Sequence, residues 1–150
     1  MFRVAKEKNI PFTIHAGEAD NANSVLDAIS FGAKRIGHGI RIIDDNDAIN
    51  KVIKNNVTLE VCPTSNFQTK AVEIYKNHPI KKLYKKGVLI TVSTDNNTVS
   101  NTTLSLEYER LRSYFDFTDN DFLTFNINAI NAAFISDLEK KKYIKILKED

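Results

Sequence analysis

Four short, apolar, β-rich runs each close on chemically capable residues, and this recurrence limits the chain more than any other feature. They are Thr13-Ile14-His15-Ala16-Gly17-Glu18, Arg35-Ile36-Gly37-His38-Gly39, Val61-Cys62-Pro63-Thr64-Ser65-Asn66 and Val92-Ser93-Thr94-Asp95-Asn96. Between them the apolar spacing becomes helical. Val25, Leu26, Ile29 and Ala33 mark one helix within residues 20–34, with Gly32 near its end as a C-terminal glycine. Asp44-Asp45-Asn46-Asp47 places acids at the first turn of a second helix, which carries Ala48, Ile49, Val52 and Ile53. A longer connection after the third strand ends in a helical turn around Ile80, Leu83 and Tyr84, stopped by Gly87. Strands over 12–16, 35–40, 57–62 and 88–92, alternating with helices about every 24 residues, imply βα units and a parallel sheet.

Both ends of the chain read as helical. Residues 1–10 look like the tail of an amphipathic helix with Phe2, Ala5 and Val4 on its apolar side, and nothing before them caps it. Leu104, Tyr108, Leu111 and Phe115 mark one C-terminal helix, and residues 122–134 another. Ser136 and Glu139 form a capping box that opens a last short helix. No Pro/Gly-rich linker divides the chain, so residues 1–150 read as one domain.

Parallel strands gather the loops after their C-terminal ends on one face, which explains why the polar groups lie there. A complete βα barrel needs eight units and about 250 residues, whereas this chain has 150 residues and four units. It is therefore either a small open α/β sheet or the second half of a barrel.

Composition narrows the function classes. A hydrophobic fraction of 42% is that of a globular chain, and a net charge of +2 gives no strong field toward nucleic acid. Lys81-Lys82-Leu83-Tyr84-Lys85-Lys86 and Lys140-Lys141-Lys142 read as solvated helix faces rather than phosphate patches. A single cysteine allows no intrachain disulfide, and no apolar stretch reaches the roughly 18 residues of a membrane span. No signal segment opens the chain, so a soluble, cytoplasmic protein is expected.

His15 and Glu18 sit three residues apart on a strand-to-loop turn, where imidazole and carboxylate can converge on one centre. They suit a zinc ligand and a proton carrier. The same pair also reads as a backbone-bonded histidine beside a loop charge. His38 lies between two glycines that allow close approach, and there it can orient or deprotonate a metal-bound water. Gly32 and Gly37 have phosphate-loop spacing, but His38 stands at the lysine position, which excludes that reading. Asp95 ends a buried strand, either satisfied by a metal or acting as a helix N-cap with Asn96 and Asn97. Cys62 reads as a packed strand-end thiol, and His78, before Pro79, as a surface-loop histidine.

Together Thr13-x-His15-Ala16-Gly17-Glu18, Arg35-x-Gly37-His38-Gly39, Cys62-Pro63-x-Ser65-Asn66 and Ser93-Thr94-Asp95 resemble, in order, the signatures of the adenosine deaminase family. The tail with Asn126-Ile127-Asn128-Ala129 and Phe134 is similar as well. The resemblance implies the C-terminal half of a TIM-type (β/α)8 barrel, followed by C-terminal helices. It implies zinc-dependent hydrolytic deamination of adenosine to inosine and ammonia, as in purine salvage. By that resemblance His15 and Asp95 are zinc ligands. Hydroxide attacks C6 of the purine with help from His38, and Glu18 gives a proton to N1. Gly17 and Asn96 are the expected substrate contacts.

Two departures stand out. Asn96 occupies a position where the family commonly has a second aspartate; its amide can donate to N7, but substrate preference is affected. The H-x-H pair that supplies two more zinc ligands is not among His15, His38 and His78. The chain is therefore expected to lack the N-terminal half and to be incompetent alone. The alternatives are a related adenine or modified-adenosine aminohydrolase, or a non-catalytic truncated product that needs a complementary chain. The open edges of a half barrel imply self-association. The implied partner is a small purine nucleoside, with no nucleic acid and no membrane.

Overall fold

The computed structural model describes residues 2–149, so Met1 of the expected N-terminal helix and Asp150 lie outside it. The elements run α1 (Phe2–Glu7), β1 (Thr13–Ala16), α2 (Ala22–Phe31), β2 (Arg35–His38), a 3-10 turn (Ile40–Asp44), α3 (Asn46–Lys54) and β3 (Thr58–Val61). They continue with α4 (Pro63–Gln68), a 3-10 turn (Tyr75–Asn77), α5 (Ile80–Lys85), β4 (Leu89–Val92), α6 (Asn97–Ser100), α7 (Leu104–Phe115), α8 (Asp119–Ala132) and α9 (Asp137–Glu149). Among the described residues the strands form one parallel sheet in the order β1-β2-β3-β4. No helix among them is long and apolar enough to cross a membrane.

Alternation along each strand divides the sheet into two chemically different faces. Ile14, Ile36, Leu59 and Ile90 stand in one register row. They join Val25 and Ala28 of α2, Ala48, Ile49 and Val52 of α3, Ile80 and Leu83 of α5, and Phe125 of α8 in the core. The adjacent row, His15, Gly37, Glu60 and Thr91, lies on the opposite face. There Glu60 takes hydrogen bonds from Thr13 Oγ1 at 2.9 Å and Arg35 Nε at 2.8 Å, and Arg35 lies 4.7 Å from the ring centre of Phe134.

Local chemistry sets the helix ends. Asn21 and Asp45 cap α2 and α3 through their side chains, and Gly32 ends α2 at φ 100°. Thr118 and Asp121 form a reciprocal capping box at α8. Ser136 and Glu139 do the same before α9, as the sequence predicts. That helix has 13 residues and is not short. None of its described residues is buried; it lies against α8 with Ile144 and Leu147 half-buried, and the exposed Lys145–Glu149 pair adds little. The long connection after β3 also contains the unforeseen helix α4, whose signal is Pro63 at a first helical position. Stacked Tyr108 and Phe122, with ring centres 4.4 Å apart, bind α7 to α8. Asn128 Nδ2 of α8 donates to Ile90 O of the end strand β4 at 3.0 Å.

Leu59 is fully buried at the centre of the sheet, whereas Leu138 is 80% exposed. Leu59→Ala should therefore cost about 2–5 kcal/mol in denaturant unfolding. Leu138→Ala should stay within about 0.5 kcal/mol.

Candidate functional site

A common strand direction brings all four C-terminal ends to one rim. Past β1 and β2 the backbone ladder continues, with Gly39 N donating to Ala16 O and Arg41 N to Gly17 O, both at 2.9 Å. At Gly37 a Cβ would lie 3.1 Å from His15 Cδ2, so only glycine leaves room for the imidazole across it. Gly17, at φ 65°, is buried and donates its N–H to Ser24 Oγ. His38 and Asp95 themselves hold left-handed backbone, with φ of 66° and 59°. For residues other than glycine this costs on the order of 1–3 kcal/mol each, and such strain concentrates at functional sites.

His15, His38 and Asp95 line one cavity of about 450 Å³, together with Gly37, Glu60 and Leu104. The rings of His15 and His38 lie 5.3 Å apart. Glu18 joins through His38, whose Nε2 is 3.3 Å from Glu18 Oε2. Glu18 Oε1 also accepts from Asn66 Nδ2 at 3.2 Å and Thr69 Oγ1 at 3.0 Å. Asp95 Oδ2 accepts from Ser65 Oγ at 2.7 Å. The N-cap of α6 is Asn96 rather than Asp95: Asn96 Oδ1 accepts from Val99 N at 3.0 Å, which leaves its NH₂ as the remaining donor group.

His78 is a correction. It is not a surface-loop residue but is 3% exposed. Its Nδ1 accepts from Ile80 N at 3.1 Å, and its Nε2 faces Asn66 Oδ1 at 3.2 Å, so both polar atoms are satisfied and burial is tolerated. Burial pushes its pKa down to about 3. Burial likewise lowers that of His38, against opposing pulls from Glu18 and Asp95. Cys62 is a packed thiol as expected; burial and then Asp95 push it up to about 12, which removes it as a nucleophile near neutrality.

Sequence reading misses the residues that hold the rim in place. Fully buried Glu107 accepts from Thr64 N at 3.1 Å and Thr102 Oγ1 at 2.7 Å, which secures the start of α4. Arg110 reaches Thr64 Oγ1 at 2.6 Å. From α4, Ser65 reaches Asp95, and Asn66 reaches Glu18 and His38. Only the Ser65-Asn66 pair carries any sequence signal, as a piece of the third strand-end motif.

A structural zinc takes four donors, and a catalytic one takes three from protein plus water. His15 and Asp95 are of the right kind and share the cavity. Among the described residues, however, no group of three or more His, Cys, Asp or Glu side chains is arranged to hold a metal. The donors of this chain fit a zinc site in type but not in number.

Four parallel strands, one helix-covered face and a histidine–carboxylate rim define half of a βα barrel. The adenosine deaminase family model matches residues 1–149. The adenosine deaminase of Lacticaseibacillus casei (strain BL23) is 43% identical over 148 residues, covering 99% of this chain and 44% of that protein. The crystal structure of adenine deaminase from Arthrobacter aurescens superposes with a TM-score of 0.93 at 28% identity, over 99% of this chain and 46% of that one. The apo N6-methyl-AMP deaminase of Arabidopsis thaliana gives 0.86 at 26%, over 97% and 43%. This chain belongs to the adenosine deaminase family, and it spans less than half the length of these relatives.

The two buried groups yield separate predictions. Unfolded His78 binds a proton near 6.5 and folded His78 only near 3, so between these values the unfolded state holds the extra proton. Stability should therefore fall as pH drops through that window. Urea midpoints at about pH 7.5 and about pH 5 should differ less in His78→Gln than in the unsubstituted chain. Cys62 should resist alkylation in the folded protein and react rapidly once urea unfolds it, as followed by mass spectrometry.

Proposed function

We propose that this chain carries the proton-handling machinery of a zinc-dependent hydrolytic deaminase that converts adenosine to inosine and ammonia. The carrying observation is the convergence of His15, Glu18, His38 and Asp95 at one rim. In this reading Glu18 delivers a proton to N1 of the purine, so charge does not accumulate on the ring as water adds at C6. His38 hydrogen-bonds the incoming oxygen, and departure of the amino group as ammonia leaves inosine. His15 and Asp95 would supply two donors to a zinc ion, and a complementary N-terminal half would have to supply the others. Gly17 shapes the β1 turn beside the substrate, and the Asn96 amide offers a donor to N7.

The strands β1 and β4 lie at the two ends of the sheet. Unpaired end strands attract another strand, so self-association or pairing with a complementary N-terminal half belongs to the same reading. A second substrate reading rests on Asn96 and on the names of the structural relatives, an adenine deaminase and an N6-methyl-AMP deaminase. A panel of adenosine, adenine and N6-methyl-AMP separates the two.

The test is zinc content and inosine formation by the purified chain, alone and with the N-terminal half of the Lacticaseibacillus casei relative added. No turnover is expected alone. Turnover is expected on addition, with Glu18→Gln lowering kcat roughly 10²–10⁴-fold. Zinc-loaded turnover by the chain alone would mean that its own residues complete the site. No turnover in any mixture, with the chain folded and zinc bound, would sink the deaminase reading.

A further inference from the structure

Behind the rim, a row of hydrogen bonds runs from a backbone amide to the two side chains that handle protons. It begins at Ile80 N, a donor whose identity is beyond choice, 3.1 Å from His78 Nδ1. A nitrogen that accepts carries no proton, so neutral His78 bears its hydrogen on Nε2. Through it Nε2 donates to Asn66 Oδ1, 3.2 Å away, which fixes the orientation of the amide. Asn66 then has two N–H bonds to give. They meet Glu18 Oε1 at 3.2 Å and His38 Nδ1 at 3.0 Å. Asn66 has no exposed surface, and both of its side-chain N–H groups and its side-chain oxygen have a partner in this arrangement.

We infer that His78 and Asn66 are positioning residues that hold His38 as the Nε2–H tautomer, so that His38 meets the reacting oxygen as a hydrogen-bond donor rather than as a base. The inference deepens the deaminase reading and rests on it for the word reacting; the tautomer assignment stands on the hydrogen bonds alone. Its physical content is directional. With Nδ1 occupied by the Asn66 N–H, the His38 proton sits on Nε2, the nitrogen 3.3 Å from Glu18 Oε2. His38 also lines the cavity shared with His15 and Asp95. A donor there stabilises negative charge that grows on an attacking oxygen. Neither His78 nor Asn66 lines that cavity, so both act through His38 and Glu18.

The experiment is a long-range ¹⁵N–¹H correlation spectrum of the histidine rings in the purified chain, which needs no turnover. His38 and His78 should both show the Nε2–H pattern. A proton on Nδ1 of His38 in the unsubstituted protein would overturn the inference at once. His78→Gln keeps an amide donor toward Asn66 Oδ1 and should leave His38 unchanged. His78→Phe removes the donor, frees the Asn66 amide to turn over, and should move the His38 proton to Nδ1. An unchanged His38 pattern in a folded His78→Phe protein would also overturn it; if that variant fails to fold, the unsubstituted and His78→Gln spectra decide. In a reconstituted active enzyme, His78→Phe should lower kcat roughly 10–100-fold with KM nearly unchanged, and His78→Gln should restore most of it. The Nε2–H pattern without any deamination would sink the activity reading while leaving the tautomer assignment intact.

Discussion

Two-residue alternation in strands that all run the same way is the constraint on which the rest of this structure depends. It sends Ile14, Ile36, Leu59 and Ile90 into the helix-packed core and leaves His15, Gly37, Glu60 and Thr91 on the opposite face. A shift of one residue in β1 or β3 would exchange the two sets there, placing His15 or Glu60 among aliphatic side chains. Buried Ile36, Leu59 and Ile90, with half-buried Ile14 beside them, thus hold the register, and the register aims the chemistry. Parallel direction then brings every strand end to a single rim, which antiparallel strands would have divided between two.

At that rim the difficulty is to keep polar side chains buried and oriented. Asn66 and His38 have almost no exposure, yet each polar atom has a partner. The next layer back repeats the solution with Glu107, a fully buried carboxylate held by a backbone N–H and a hydroxyl, with Arg110 alongside. A buried network of this kind is stabilising only when complete, so removing one member exposes the rest to the cost of unmet hydrogen bonds. The left-handed backbone at His38 and Asp95 fits the same picture, because packing around the rim must over-determine conformations that those residues would not choose.

Much of this is legible in the chain. The four strands, Gly32 at the end of α2, the capping box at Ser136 and the span of α7 follow from spacing and local hydrogen bonding, which act over a few residues. The strand-end residues His15, His38 and Asp95 can be named because parallel βα units put such ends together. The misses share a cause. His78 reads as a loop histidine because its acceptor, Asn66, lies 12 residues away and is brought near only by α4 and the turn after it. Glu107 reads as one more helix acid, and its partner Thr64 is 43 residues distant. The length of α9 is underestimated because no burial marks its pattern.

The sequence by itself determined which segments are strands and helices, which face of each is apolar, and which residues stand at the strand ends. Those properties are periodic and local. Only the tertiary structure decided which way the Asn66 amide points, that His78 is interior, and that the thiol of Cys62 is too deeply packed to ionise near neutrality. Such outcomes depend on distances between residues far apart in the chain. Desolvation and hydrogen bonding change steeply over an ångström or two, a scale that residue order alone does not carry.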